Sequence, residues 1–270
     1  MHKIVCLTVC VVILFATGIG GCKNRNDAEK MEKLITISES VERHIEQQRN
    51  TAADQVNELA KNADMIAALA AMGATLKEEN REEVQRIVTD FEAEQKCTFF
   101  TILNVEGNVV FRTSRPELYG DSQINIRSIS EALTQQKSSI HYESTPMVPL
   151  AIRAVAPVFD ENGAVVGVIT GGFRLDTDEW VDHVKALCNV ECTVFADDIR
   201  VATTVRKPMT DDRAIGTKLN NPAVYEKVFN EKEKFYGEAV VVGLPMSMFY
   251  KPFFNEGDDK AIGMLFIGLP

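Results

Sequence analysis

Arg153 stands in the run Leu150-Ala151-Ile152-Arg153-Ala154-Val155-Ala156, one guanidinium among aliphatic side chains. An unpaired charge in such a strand is costly, so it requires an acidic side chain or an anionic ligand, and the ligand is the reading we favour. Arg112 and Arg115, three residues apart at the end of a neighbouring β-rich run, extend the cluster. Planar guanidinium groups grip carboxylates through two parallel hydrogen bonds, and an anion relieves the repulsion between clustered cations. The competing reading is a solvated or ion-paired strand arginine; for Arg115 the two weigh equally.

Other chemistries have little support. Four histidines (His2, His44, His141, His183) are scattered singly and no Cys-x-x-Cys occurs, so no metal site is expected. The dense glycines, Gly18 to Gly21, precede no helix that could cradle phosphate. Gly-x-Ser-x-Gly, His-Glu-x-x-His and paired-carboxylate motifs are absent, so the chain reads as a non-enzyme with no catalytic residue and no cofactor. The 270 residues carry 29 Lys+Arg against 39 Asp+Glu, a net charge of −10, which argues against a nucleic-acid partner.

Residues 1–21 have the parts of an export signal: Lys3, an apolar run from Ile4 to about Ala16, then small residues. Ile19-Gly20-Gly21-Cys22 resembles a bacterial lipobox, which implies acylation of Cys22 and a lipid anchor on the periplasmic or extracytoplasmic side. An uncleaved signal anchor is the alternative. Against it, the apolar run is marginal for a bilayer span of about 20 residues, and Lys23, Arg25, Lys30 and Lys33 would have to be exported. Export permits disulfides. Cys188 and Cys192 are close enough in sequence to pair, leaving Cys97, or all three are buried thiols.

The elements that position Arg153 follow from periodicity. From about Asp27 to Ala71 there is no Pro or Gly, and apolar residues recur at Leu34, Ile37, Val41, Ile45, Ala52, Val56, Leu59, Ala63, Ile66 and Leu69. Those spacings predict one long amphipathic helix stopped by Gly73, whose near-heptad stripe invites a second copy or a membrane signalling partner, the alternative being that most of it packs on the first module. Thr75 and Glu78 predict a capping box for a second helix to about Gln95. Strands are expected at 97–103, 108–113, 139–143, 150–159 and 164–174, with a helix at 126–136. A helix at 177–187 leads to further strands at 192–196, 200–205, 235–243, 246–254 and 261–267, with a short helix near 222–230. The second set repeats the first. Thr98-Phe99-Phe100-Thr101 corresponds to Thr193-Val194-Phe195-Ala196, and Val166-Gly167-Val168-Ile169 to Ile262-Gly263-Met264-Leu265. A repeat of this length is a domain, not a solenoid unit.

This order is similar to the double Cache sensor modules (Cache 3/Cache 2 fusion type) of bacterial methyl-accepting chemotaxis receptors. The residues concerned include Gly107-Asn108-Val109-Val110-Phe111-Arg112, Val148-Pro149 through Pro157-Val158, Val166 to Gly172, Arg200 to Val205, Arg213 to Lys218 and Ile262 to Gly268. The resemblance implies an α+β fold, a long N-terminal helix followed by two PAS-like antiparallel-sheet domains that bind small extracellular solutes. It divides the chain into a signal peptide (1–21), a long helix or stalk (22–74), a first, membrane-distal module (75–175) and a second, membrane-proximal module (176–270). The first module also resembles bacterial citrate and C4-dicarboxylate sensor kinases at Arg112-Thr113-Ser114-Arg115-Pro116, Gly120 and Arg153, with Arg115 where those carry His.

That second likeness implies a ligand set of Arg112, Ser114, Arg115 and Arg153, joined by Tyr142 and Thr145 on or just after the preceding strand. The second module shows no equivalent basic set, and its Met246-Ser247-Met248-Phe249-Tyr250-Lys251 strand reads as core. The expectation is an exported, membrane-anchored sensor lipoprotein for a small organic acid, without a signalling domain of its own. The alternatives are an interaction lipoprotein acting through its long helix, or the sensor part of a truncated chemoreceptor.

Overall fold

The computed structural model describes residues 25–145 and 147–270. The signal expected at 1–21 and the acylation expected at Cys22 lie outside the described residues. The long helix is present but broken: α1 spans Arg25–Ala60 and α2 Ala63–Met72. The break is at Asn62, which leaves helical geometry and caps α2, its side-chain oxygen accepting from Met65 N–H at 2.9 Å. Gly73 then ends α2 with φ 58°, a conformation that favours glycine. Helix α3 runs Glu78–Glu92 without the expected capping box. Glu78 is already its first helical residue and pairs with Arg81 at 2.9 Å instead of reaching back to Thr75.

Two five-stranded antiparallel sheets follow. The first comprises β1 (Phe99–Asn104), β2 (Val109–Arg112), β3 (Ser139–Glu143), β4 (Ala151–Phe159) and β5 (Val165–Arg174), in the order β2-β1-β5-β4-β3. The second comprises β6 (Glu191–Ala196), β7 (Ile199–Thr203), β8 (Phe235–Val241), β9 (Leu244–Phe253) and β10 (Gly263–Leu269), in the order β7-β6-β10-β9-β8. The shared order is what the internal repeat required. Helix α4 (Arg127–Gln135) belongs to the first unit and α5 (Asp178–Cys188) joins the two. In the second unit, α6 (Pro222–Tyr225) runs on into a π-helical turn at Glu226–Asn230.

Helix α1 lies along both sheets, packing on β4 and β5 of the first and on β9 and β10 of the second. Leu34, Val41, Ile45, Ala52, Val56 and Leu59 are all buried there. Each large aliphatic side chain so buried contributes about 1.5–3 kcal/mol. The stripe is thus covered by the chain's own sheets, which is the domain-packing alternative, and its length matches two sheets in series.

In the first sheet, strand alternation sorts side chains to two sides. Phe100, Ile102, Ile152, Ala154, Ala156 and Ile169 join the core with α1 and α2. On the other side Leu103, Val109, Val155 and Val168 pack with Ile129 and Ala132 of α4. This α4 side, the outer face, carries the charged groups.

Candidate functional site

Register places the site residues in rows across the outer face. One row is Phe99, Gly172, Arg153 and His141; the next is Arg112, Thr101, Thr170, Val155 and Ser139. Arg153 and Arg112 are both buried, at 6% and 5% exposure. Gly172 makes the first row possible, because a Cβ there would sit 1.9 Å from the Ile152 carbonyl oxygen on β4.

Arg153 Nη1 donates to Thr170 Oγ1 at 2.9 Å, and its guanidinium lies 5.1 Å from the centre of the Phe99 ring. Its Nε stands 2.7 Å from Glu143 Oε2, out of line for a hydrogen bond. The other Glu143 oxygen accepts from the Ser128 hydroxyl of α4. Burial pushes Arg153 below the usual arginine range, Glu143 pulls it back up, and Arg112 nearby pushes it down again. Arg112 donates from Nη2 to Asp121, while its buried Nε has no partner. The Arg112 hydrogen bond holds the Asp121 carboxyl below its ordinary value. His141 Nε2, on the same face, is 3.9 Å from Glu131 of α4.

The structure therefore brings Arg112 and Arg153 together on one face and places the other expected ligand residues away from them. Each arginine already has a carboxylate, so the buried charge of Arg153 is paired within the chain and does not by itself demand a ligand. Ser114 and Arg115 are exposed on the loop after β2, which α3 holds through Arg81: Nη2 donates to Pro116 O at 2.9 Å and the guanidinium lies 3.8 Å over the Tyr119 ring. Tyr142 points to the opposite side of the sheet, packed on Phe253 with ring centres 4.7 Å apart and under Arg49 of α1. Being adjacent to Glu143 in a strand puts it on the other face. Thr145 closes a turn, its hydroxyl accepting from Val148 N–H at 3.0 Å. Sequence reasoning missed Glu143, Asp121, Thr170 and Ser128.

A cleft of about 410 Å³ opens elsewhere, on the α1 side, where Glu42, Glu46 and Tyr142 face Lys234 and Lys251. Glu42 pairs with Lys234 at 2.7 Å there, and the cleft does not reach Arg112 or Arg153. Cys97, Cys188 and Cys192 are free thiols, so the disulfide considered for Cys188 and Cys192 is not formed. Among the described residues no group of three or more His, Cys, Asp or Glu is placed to hold a metal ion, and no helix is long and apolar enough to cross a membrane.

Two family models, both described as single cache domain 3, match residues 39–179 and 173–270. The chain belongs to the Cache domain family. Its two Cache units answer to the two sheets. No curated protein matches it in sequence. Among solved structures it is similar to the ligand-binding domain of the Campylobacter jejuni chemoreceptor Tlp3 in complex with 4-methylisoleucine, with TM-score 0.54 and 12% identity over 90% of this chain and 89% of that one. It is also similar to the sensor domain of the Vibrio cholerae histidine kinase DctB, with TM-score 0.53 and 12% identity over 90% of this chain and 96% of that one. An extracellular ligand binding receptor from Desulfohalobium retbaense matches at TM-score 0.48 and 14% identity, 80% of this chain against 39% of that one. At such identities the likeness is one of fold.

Proposed function

We propose that this Cache protein is an extracytoplasmic sensor of a small carboxylate-bearing solute, bound on the outer face of the first sheet, and that the solute is an α-amino acid. The observation that carries this is the buried pair Arg112 and Arg153 with the partly buried Glu143 beside them and Asp121 at the rim. Two guanidinium groups suit a carboxylate, and the acids beside them suit an ammonium group. A zwitterion exchanges into both ion pairs without leaving a charge unmatched, whereas a dicarboxylate would face Glu143 and Asp121. The amino-acid derivative bound by the similar Tlp3 domain agrees with this reading. The proposed sensor module occupies 75–175, with 176–270 as the membrane-proximal module, and Ile19-Gly20-Gly21-Cys22 supports lipid anchoring through Cys22.

The test is a thermal-shift and calorimetric panel of amino acids and organic acids. Ligand at a hundred times its dissociation constant adds roughly 2.7 kcal/mol to stability. One or more amino acids should raise Tm, and Arg112→Gln should remove the rise; a panel without any shift sinks the proposal. For the anchor, Cys22→Ser should block lipid labelling and signal processing.

A further inference from the structure

Four arginines are buried among the described residues: Arg81, Arg112, Arg153 and Arg200. The first three each face a carboxylate, Glu78, Asp121 and Glu143 respectively. Arg200, on β7 of the second sheet and 7% exposed, has none. Its Nη1 donates to Thr217 Oγ1 at 2.9 Å and to the Lys218 carbonyl at 3.4 Å, and its Nε has no partner. Its register neighbour is Phe195, with the guanidinium 4.8 Å from the ring centre. Burial pushes Arg200 below the usual arginine range, the direction expected for a cation without an anion.

A second unfulfilled donor lies close by. Tyr250 is buried on the same side of the sheet, interacts electrostatically with Arg200, and its hydroxyl reaches only the Met248 sulfur at 3.9 Å. A thioether is a weak acceptor. Burial raises the phenol to about 12, so it stays a donor. The remaining surroundings are apolar and include Met246, Met248 and Met264, whose unbranched side chains repack readily around a guest. The cover is the segment carrying Thr217 and the π-helical turn with Val228 and Phe229, a backbone irregularity often found at functional sites.

We infer a second ligand site on the outer face of the second sheet, taking a small monocarboxylate with a short aliphatic body through Arg200 and the Tyr250 hydroxyl. The chemistry sets the class. One guanidinium matches one negative charge, so a dicarboxylate would bring a second, unmatched charge into the core. Among the described residues no carboxylate pairs with Arg200, so none would receive the ammonium of an amino acid. The carboxylate would supply the acceptor that Arg200 Nε and Tyr250 lack, and the methionines would close on the alkyl part. This site would be independent of the one proposed on the first sheet.

The experiment is calorimetric and saturation-transfer NMR titration of the full chain with propionate and butyrate, against succinate, alanine and 1-butanol. Saturable binding of the two monocarboxylates alone is expected. Arg200→Met should weaken it about tenfold or more, Arg200→Lys and Tyr250→Phe by several-fold, and Arg153→Met not at all. Tyr250→Phe removes an oxygen whose partner is only a thioether, so it keeps a folded variant in the series if Arg200→Met does not fold. Absence of saturable binding overturns the inference, as does equal binding of succinate, alanine or 1-butanol. So does affinity unchanged by Tyr250→Phe and Arg200→Lys. Loss of binding in Arg153→Met with retention in the Arg200 variants assigns the solute to the first sheet and also overturns it. Failure of the amino-acid panel leaves these results unaffected.

Discussion

Asn255 holds the main chain of Tyr142 from both sides: Tyr142 N–H donates to Asn255 Oδ1 and Asn255 Nδ2 donates to the Tyr142 carbonyl, each at 2.8 Å. A side-chain amide from the loop after β9 thus satisfies the open edge of β3 as another strand would. Asp258 orients that amide, accepting from Asn255 N–H at 2.8 Å and from Nδ2 at 3.1 Å, and it also faces Arg127 of α4 at 3.4 Å. The loop of the second sheet is therefore clamped to the two elements that flank the proposed amino-acid site. Tyr142 adjoins Glu143, and Arg127 adjoins Ser128.

Replacing Asn255 by Ala should break this clamp. Two backbone groups at the β3 edge lose their partner, at a cost of about 1–3 kcal/mol, moderated where water reaches them. Calorimetry should show a lower Tm. Hydrogen exchange should quicken in β3, and ligand-dependent protection, if it spreads from β3 to the β9–β10 turn in the parent, should stop at β3 in the variant. Unchanged exchange in β3 would show that the amide bears no load.

The repeat, the outer strands and the end of α2 were legible because they depend on local pattern: Gly73 and Gly163 both adopt the positive φ that their turn signals imply. The Asn62 break was not, since a lone polar residue in a long periodic run reads as a solvated position until its side chain is seen accepting from Met65. Arg153 and Arg112 were found through a charge in an apolar strand and a strand-end position. Their partners were hidden because pairing depends on register. Glu143 reaches Arg153 two residues along from the His141 row, and Asp121 reaches Arg112 from a loop lying beside β2. Tyr142 was misassigned because nearness to β4 does not say which face a residue takes. Arg200 was overlooked because its strand neighbours, Val201 to Thr203, give no sign that the chain would bury it.

His44 and His183 give the protein an acid-sensitive contact between α1 and α5. Their ring centres are 5.3 Å apart, and burial first, then the charge of His183, holds His44 below its ordinary value of 6.5. The unfolded chain therefore takes up the His44 proton first as pH falls, and stability rises with pH across that interval. This contribution is complete above about 6.5 and is lost as pH falls from there toward the lower folded-state value. Urea unfolding from pH 7.5 to 5 should show a decline that His44→Gln reduces. Equal slopes for parent and variant would count against it.

Thiol chemistry gives a further check on the second sheet and on β1. Burial pushes Cys97 up to about 12 and raises Cys192 well above its ordinary range, with Cys188 and nearby carboxylates adding to the latter. The thiolate is the reactive form, so both should resist iodoacetamide at pH 8 in the native protein. Cys188, partly exposed at the end of α5, should be labelled first, though slowly, since burial raises it too. Mass spectrometry of the labelled protein should find Cys97, Cys188 and Cys192 all modified only after unfolding. Rapid native labelling of Cys192 would mean that the start of β6 opens, and a Cys188–Cys192 cross-link in the untreated protein would contradict the free thiols.

The pairing of Arg153 with Glu143 makes opposite predictions for stability and for ligand choice. Arg153→Met leaves the partly buried Glu143 without its cation; breaking a fully buried pair from one side costs about 3–5 kcal/mol, and the residual exposure of Glu143 sets the loss toward or below the lower end. Adding Glu143→Gln removes the stranded charge and should recover much of that loss, since Gln can still accept from Ser128. Glu143→Gln alone leaves Arg153 and Arg112 with one carboxylate fewer while both guanidinium groups remain. Its acceptor for an ammonium group is gone and its repulsion of a second carboxylate is reduced. Amino-acid binding should therefore fall about tenfold or more, as expected for a lost charged hydrogen bond, while a dicarboxylate such as succinate gains affinity. Parallel titrations of parent and Glu143→Gln with an amino acid and with succinate decide this. If both ligands change in the same direction, Glu143 maintains the fold of the site without reading the solute's charge.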